Sequence, residues 1–145
     1  MSEATQPQHN ARIALVTGAG SGIGRAVALG LLEDGFTVVL AGRRPEPLNE
    51  IAETARAAGR QALAVVTDVR DPASVEALFT AIESRYGRLD LLFNNAGVNS
   101  PLVPMDELPV ETWLNVISTN VTGVFLCARA AFGLMRRQIP QGGGG

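Results

Sequence analysis

The stretch that most constrains this chain is Thr17-Gly18-Ala19-Gly20-Ser21-Gly22-Ile23-Gly24. It lies between the apolar run Ile13-Ala14-Leu15-Val16 and a helical pattern, Ile23, Val27, Leu31. A short buried strand that turns through glycines into a helix leaves unpaired backbone N–H groups at the turn, with the positive end of the helix dipole behind them. Such a turn is an anion site suited to a pyrophosphate. Gly18 and Gly22 fit positive backbone angles or the close approach of a phosphate, where a Cβ would interfere. Gly24 lets the helix lie close on the strand. The pattern G-x-G-x-x-G is not met, because it would need glycine in place of Ile23 or Arg25. The spacing is T-G-x-x-x-G-x-G, and it makes Thr17, Gly18, Ser21, Gly22, Ile23 and Gly24 candidate cofactor-binding residues. The alternative is a glycine-rich turn that holds no ligand.

Composition closes off several classes. The chain has 145 residues, enough for one domain with a real core. Hydrophobic residues make up 46% and charged residues 18%, a globular balance. A net charge of −2 provides no basic field, so nucleic acid is not an expected partner. Cys127 is the single cysteine; no intrachain disulfide can form, and a cytoplasmic location is expected. No apolar run approaches the length of a membrane span, so no membrane partner is expected. Residues 1–10 are polar, His9 among them, and read as a disordered tail; residues 139–145 read as a glycine-rich tail. All twelve basic residues are arginine, so the chain has no lysine.

Between the tails, residues 11–138 read as one domain. Arg12–Thr17 is the first strand and Gly22–Asp34 the first helix, stopped by Gly35. Phe36–Ala41 is the second strand. Pro45 and Pro47 open a helix whose apolar positions Leu48, Ile51, Ala55 and Ala58 have helical spacing, with Gly59 at its end. Ala62–Val66 is a third strand. Asp71-Pro72 starts a helix lined by Val75, Leu78, Phe79, Ile82 and Tyr86, ended by Gly87. Leu89–Asn94 is a fourth strand, and one long helix runs from about Val110 to Arg137. Its period is kept by Trp113, Val116, Ile117, Val121, Val124, Phe125, Ala128 and Phe132. The β-α-β-α-β-α-β-α order with near-continuous apolar strands predicts an α/β fold, a Rossmann-like doubly wound parallel sheet of strand order 3-2-1-4 with flanking helices. Its ligand belongs above the carboxyl ends of strands 1 and 4.

Three further segments carry chemistry. The end of strand 2, Ala41-Gly42-Arg43-Arg44, has no acid between Phe36 and Pro45, where a free ribose 2′-hydroxyl would meet a carboxylate. Two guanidinium groups suit a 2′-phosphate instead, which points to NADP with NAD as the alternative; solvated loop charges are the bland reading. Asp68-Val69 follows strand 3, and an Asp there is also a common turn former. Asn94-Asn95-Ala96-Gly97 ends strand 4, where small residues let a ribose lie against the backbone and asparagine amides tie strand ends together. Asn120 sits mid-helix, a poor place for Asn unless its amide has a partner. Cys127 reads as a core residue. No metal site is expected.

These motifs, in this order on these elements, resemble the short-chain dehydrogenase/reductase family across nearly the whole chain. The resemblance implies that Arg43 and Arg44 mark NADP preference, that Asp68 and Val69 touch the adenine, and that Ala96 and Gly97 line the nicotinamide ribose, with Asn95 chiefly structural. It implies that Asn120 holds a water in the proton relay, though a bond to a backbone carbonyl fits it too. The family reaction moves a hydride between nicotinamide C4 and a carbonyl or alcohol carbon, with tyrosine, lysine and serine as the acid–base and substrate-holding groups. Here Tyr86 is the only tyrosine and Asp90 stands where Y-x-x-x-K needs lysine. Ser100 and Ser118 precede the strand that carries the family's serine. The chain therefore reads as an incomplete, truncated cofactor half of an oxidoreductase acting on a small-molecule carbonyl or alcohol if completed. The second reading is a noncatalytic dinucleotide-binding module, or a subunit completed by another chain. Self-association or a homo-oligomer is expected, because strand 4 would be an apolar edge.

Overall fold

Short runs of Val, Leu, Ile and Ala flanked by turn residues become parallel strands. The structure is a computed structural model that describes residues 11–140. Its strands are β1 (Ile13–Thr17), β2 (Thr37–Gly42), β3 (Ala62–Val66) and β4 (Leu91–Phe93). They form one parallel sheet in the order β3-β2-β1-β4, with Leu15 opposite Val39 on one side and Leu92 on the other. The predicted α/β class and strand order are the ones observed.

Period-two alternation divides the core between the two faces of the sheet. Ala14, Val16, Val38 and Leu40 pack against α1 (Gly22–Glu33) and α2 (Pro45–Ala57). Ile13, Leu15, Val39 and Ala41 pack against α3 (Pro72–Tyr86) and α5 (Val124–Arg137). The helix signals work as read. The carboxylate of Asp71 accepts from Ala73 N at 3.0 Å at the start of α3, and Gly59 and Gly87 close α2 and α3 in left-handed conformations.

Two expectations need correction. The fourth strand is shorter than Leu89–Asn94 because the flanking residues bond elsewhere. Leu89 N–H donates to Gln138 Oε1 at 2.9 Å and Leu89 C=O accepts from Gln138 Nε2 at 2.7 Å, so a side-chain amide occupies its edge. Asn94 Nδ2 donates to Val124 O at 2.9 Å.

The long helix keeps its predicted limits, Val110–Arg137, but it is not one regular α-helix. α4 (Val110–Ile117) passes into a π-helical segment, Ser118–Gly123, and then into α5. Its predicted apolar stripe is also mostly the outer one. Trp113, Val121, Phe125 and Phe132 are exposed, while Thr119, Gly123, Cys127, Ala131 and Leu134 face the sheet. Close packing selects small residues: a Cβ on Gly123 would lie 2.6 Å from Val69 Cγ2.

The same helix bears on the membrane expectation. No uninterrupted apolar run approaches a membrane span, yet by length and composition this helix of 28 residues, with an 18-residue window of mean hydropathy 1.3, is apolar enough to cross one. Its inner face is packed into the core as a sheet-covering helix is. Of the tails predicted for residues 1–10 and 139–145, residues 1–10 and 141–145 lie outside the described residues.

Candidate functional site

The carboxyl ends of all four strands open onto a cleft of about 440 Å³. β1 delivers the glycine turn to it. Gly18 and Gly22 have φ of 63° and 56°, so both glycines take the positive angles expected of them. Gly24 is held by packing alone: a Cβ there would stand 2.1 Å from Gly18 O. Ser21 is the N-cap of α1, and its side chain bonds none of the first-turn N–H groups. The N-terminus of α3 is closed by Asp71, whereas that of α1 is left open to a ligand. Gly18 and Ser21 line the cleft; Ile23, though exposed, lies outside its lining.

Thr17 does different work. It is fully buried, and its Oγ1 accepts from Asn95 N and Ala96 N, both at 3.0 Å. Asn95 reaches back with Nδ2 to Thr17 O at 3.3 Å and Gly18 O at 3.4 Å. The glycine turn and the Asn94–Gly97 segment are thus one cross-linked unit, which sets Ala96 and Gly97 on the wall of the cleft. Asn120, from the π-helical segment, pairs with both backbone groups of Val98: Oδ1 accepts from Val98 N and Nδ2 donates to Val98 O, each at 2.8 Å. Its poor mid-helix propensity is offset by this two-bond clasp.

Arg43 and Arg44 follow β2 and line the same cleft. Asp68 and Val69 follow β3 on its other side. Asp68 is gripped by Arg70, whose Nε donates to Oδ1 at 3.0 Å and whose Nη2 donates to Oδ2 at 2.8 Å. These bonds and the Arg70 charge, helped by Arg43, hold the Asp68 carboxyl below the usual carboxylate range against the opposing effect of burial. Cys127 is buried in the core between the sheet, α3 and α5, and burial pushes its thiol up to about 11. It is a neutral core residue at physiological pH.

The structure thus brings Gly18, Ser21, Arg43, Arg44, Asp68, Val69, Ala96 and Gly97 to one cleft. Thr17, Gly24, Asn95 and Asn120 act on its frame. Arg70 and Thr119 also line it and are not among the candidates from sequence. Arg70 had a legible signal, an arginine two residues after Asp68 in a turn. Thr119 had none; its buried hydroxyl finds no hydrogen-bond partner among the described residues. Among those residues no three His, Cys, Asp or Glu side chains cluster as metal ligands.

Comparison with known proteins gives the same picture. The family model for the short chain dehydrogenase matches residues 12–144. A cis-4-hydroxycyclohexanecarboxylate dehydrogenase of Sinomonas cyclohexanicum is 46% identical over 120 residues, covering 83% of this chain and 48% of that protein. A 3beta-hydroxysteroid dehydrogenase of Mediterraneibacter gnavus is 39% identical over 132 residues, covering 91% of this chain and 47% of the relative. Among solved structures, an actinorhodin polyketide ketoreductase variant with NADPH superposes with a TM-score of 0.83 at 38% identity, covering 89% of this chain and 49% of the other. A short chain dehydrogenase/reductase from Burkholderia phymatum in complex with NAD gives 0.83 at 37% identity, covering 90% and 46%. The chain spans about half the length of the relatives it matches. On this match, and on the glycine turn, sheet order and Asn94–Gly97 segment that carry it, the chain belongs to the short-chain dehydrogenase/reductase family of oxidoreductases.

Proposed function

We propose that this chain is the dinucleotide-binding part of an NADP-preferring oxidoreductase that acts on a small-molecule carbonyl or alcohol. The observation that carries the reading is the pair Arg43 and Arg44 on the cleft, with no acid between Phe36 and Pro45 to receive a free 2′-hydroxyl. The residues present fit such a ligand. The open N-terminus of α1, with Ser21, Gly22 and Ile23, would hold a pyrophosphate, and Gly18 offers backbone where a Cβ would crowd Ala96. Arg43 and Arg44 would take the 2′-phosphate as forked donors. Asp68 and Val69 would meet the adenine, and Ala96 and Gly97 the nicotinamide ribose.

A bound nicotinamide supplies the hydride exchange at its C4 with the substrate carbon. The chain's own residues bind and orient: Thr17 and Asn95 fix the segment under the ribose, and Asn120 fixes its continuation at Val98, where it would also hold a relay water. Proton transfer needs groups that these 145 residues do not provide. There is no lysine, and Tyr86 ends α3, at the opposite edge of the sheet from the cleft, half-buried against the core. That observation favours a second reading, a dinucleotide-binding module or a subunit completed by another chain. A cytoplasmic location fits the single buried Cys127.

Direct titration tests the cofactor assignment. Replacing Arg43 and Arg44 with Asp should weaken NADPH by about tenfold or more, the scale of a lost charge-assisted bond, and leave NADH within a few-fold. Equal losses for both would remove the basis for NADP. The intact mass of the native gene product and its turnover with NADPH and a ketone panel separate the two functional readings. Turnover by a 15.2 kDa product would overturn the assignment of the acid–base groups elsewhere.

A further inference from the structure

Two asparagines of the α4–α5 helix each tie down a different wall of the cleft. Asn120 clasps both backbone groups of Val98, in the segment after β4. Five residues earlier, Asn115 Oδ1 accepts from Arg70 Nη1 at 2.6 Å. The rest of that guanidinium grips Asp68: Nε donates to Oδ1 at 3.0 Å and to Oδ2 at 3.3 Å, and Nη2 to Oδ2 at 2.8 Å. The loop after β3 is also anchored on its own side, since Asp68 N donates to Ser74 Oγ on α3 at 2.9 Å. α4 is held far less firmly. It has no buried residue, and among the described residues the bond at Asn115 is its one side-chain hydrogen bond. In a regular α-helix five residues turn through about 500°, which would set Asn115 and Asn120 about 140° apart. The wider π turn that starts at Ser118 reduces that angle, so one side of one helix reaches both walls. β3 and β4 stand at opposite edges of the sheet, so no ladder joins the segments that follow them.

We propose that Asn115 is a positioning residue. Together with Asn120 it makes the helix a brace between the loop after β3 and the segment after β4, and so sets the spacing at which the two ends of one dinucleotide are held. This rests on the dinucleotide reading and adds to it the residue that fixes the span. A ligand that touches both walls binds well only when they already stand at its own length, because the second contact then needs no further ordering. A ligand that touches one wall is indifferent to their spacing. Removing the Asn115 amide releases α4 but leaves Arg70 on Asp68, and Arg70 is exposed enough for water to take the freed N–H. Each wall stays intact while their separation is set free.

The test uses the full gene product with its N115A and N115D variants. Each is titrated by calorimetry with NADPH and with adenosine 2′,5′-bisphosphate, which supplies one end of the dinucleotide alone. Alanine is the better helix former, so N115A should fold, and thermal unfolding checks that it does. N115A should weaken NADPH by about tenfold and change the bisphosphate by less than about twofold. N115D keeps an acceptor for Arg70 Nη1 and should return NADPH to within about twofold of the wild type. An N115A variant that binds NADPH like the wild type would overturn the brace. Equal losses for the two ligands, or no recovery in N115D, would overturn it as well, since a merely structural asparagine gives those results. A wild type that binds NADPH no more tightly than the bisphosphate has no two-ended grip to position, and the brace falls. One that binds neither ligand instead sinks the dinucleotide reading itself.

Discussion

Thr17 carries no charge and lies outside the lining of the cleft, yet two N–H groups of the opposite wall end on its hydroxyl. The two are not equally dependent on it. Asn95 N–H also reaches Phe93 O at 3.1 Å, while Ala96 N–H has only Thr17 among the described residues. Thr17→Val is nearly isosteric and would leave that half-buried N–H without its protein partner. A cost of about 2 kcal/mol in unfolding free energy is expected, together with weaker NADPH binding. Thr17→Ser keeps the acceptor and gives up only a buried methyl, about 1 kcal/mol. Urea unfolding of both variants measures this, and a valine variant as stable as wild type would show that the hydroxyl is dispensable. A hydroxyl at a strand end has no sequence signature of its own. Thr17 was legible as part of a motif, and its physical task was not.

At the scale of elements, what could be read depended on whether the cause was local. Strand–helix alternation, caps such as Asp71 and stops such as Gly87 are set by neighbouring residues, and they gave the correct sheet order and helix limits. The π-helical segment, the short β4 and the outward stripe of α4–α5 depend on contacts between residues far apart. Gly123 against Val69 and Gln138 against Leu89 are such pairs. A helix apolar on two faces does not say which one packs, and the bulkier face misleads because close approach to a sheet needs the smaller one. Arg70 is only partly of this kind: its place two residues after Asp68 is a local signal, while its remaining guanidinium bond goes to the distant Asn115. The glycine turn shows the two demands side by side. Gly24→Ala would drive a methyl to 2.1 Å from Gly18 O, where backbone must move, so a loss of about 3 kcal/mol or more is expected. Gly22→Ala meets nothing within 4 Å and bears only the strain of φ 56°, about 1 kcal/mol. Thermal unfolding of the pair separates packing from conformation; equal losses would contradict the assignment.

For the molecule as a whole, the surface left by these four strands is not one that a monomer of this size ordinarily exposes. Trp113, Val121, Phe125 and Phe132 are 53–68% exposed along the outer side of the α4–α5 helix. On the sheet, β1 and β2 are buried, while β4 is an edge strand whose Leu91, Leu92 and Phe93 are only half-covered. An apolar helix face beside an open parallel edge is a pairing surface, and the net charge of −2 provides little repulsion to keep copies apart. The 145-residue chain should therefore sediment above 15.2 kDa at micromolar concentration, and its melting temperature should rise with protein concentration. Placing charge on the helix face by Phe125→Glu with Phe132→Glu should abolish that concentration dependence without unfolding the domain, because neither side chain belongs to the core. If association persists in the double variant, the β4 edge carries it. If the unaltered chain gives a sharp monomer boundary and a concentration-independent, cooperative melt, neither surface is sticky. The exposed aromatics would then have to be accounted for as a tolerated face.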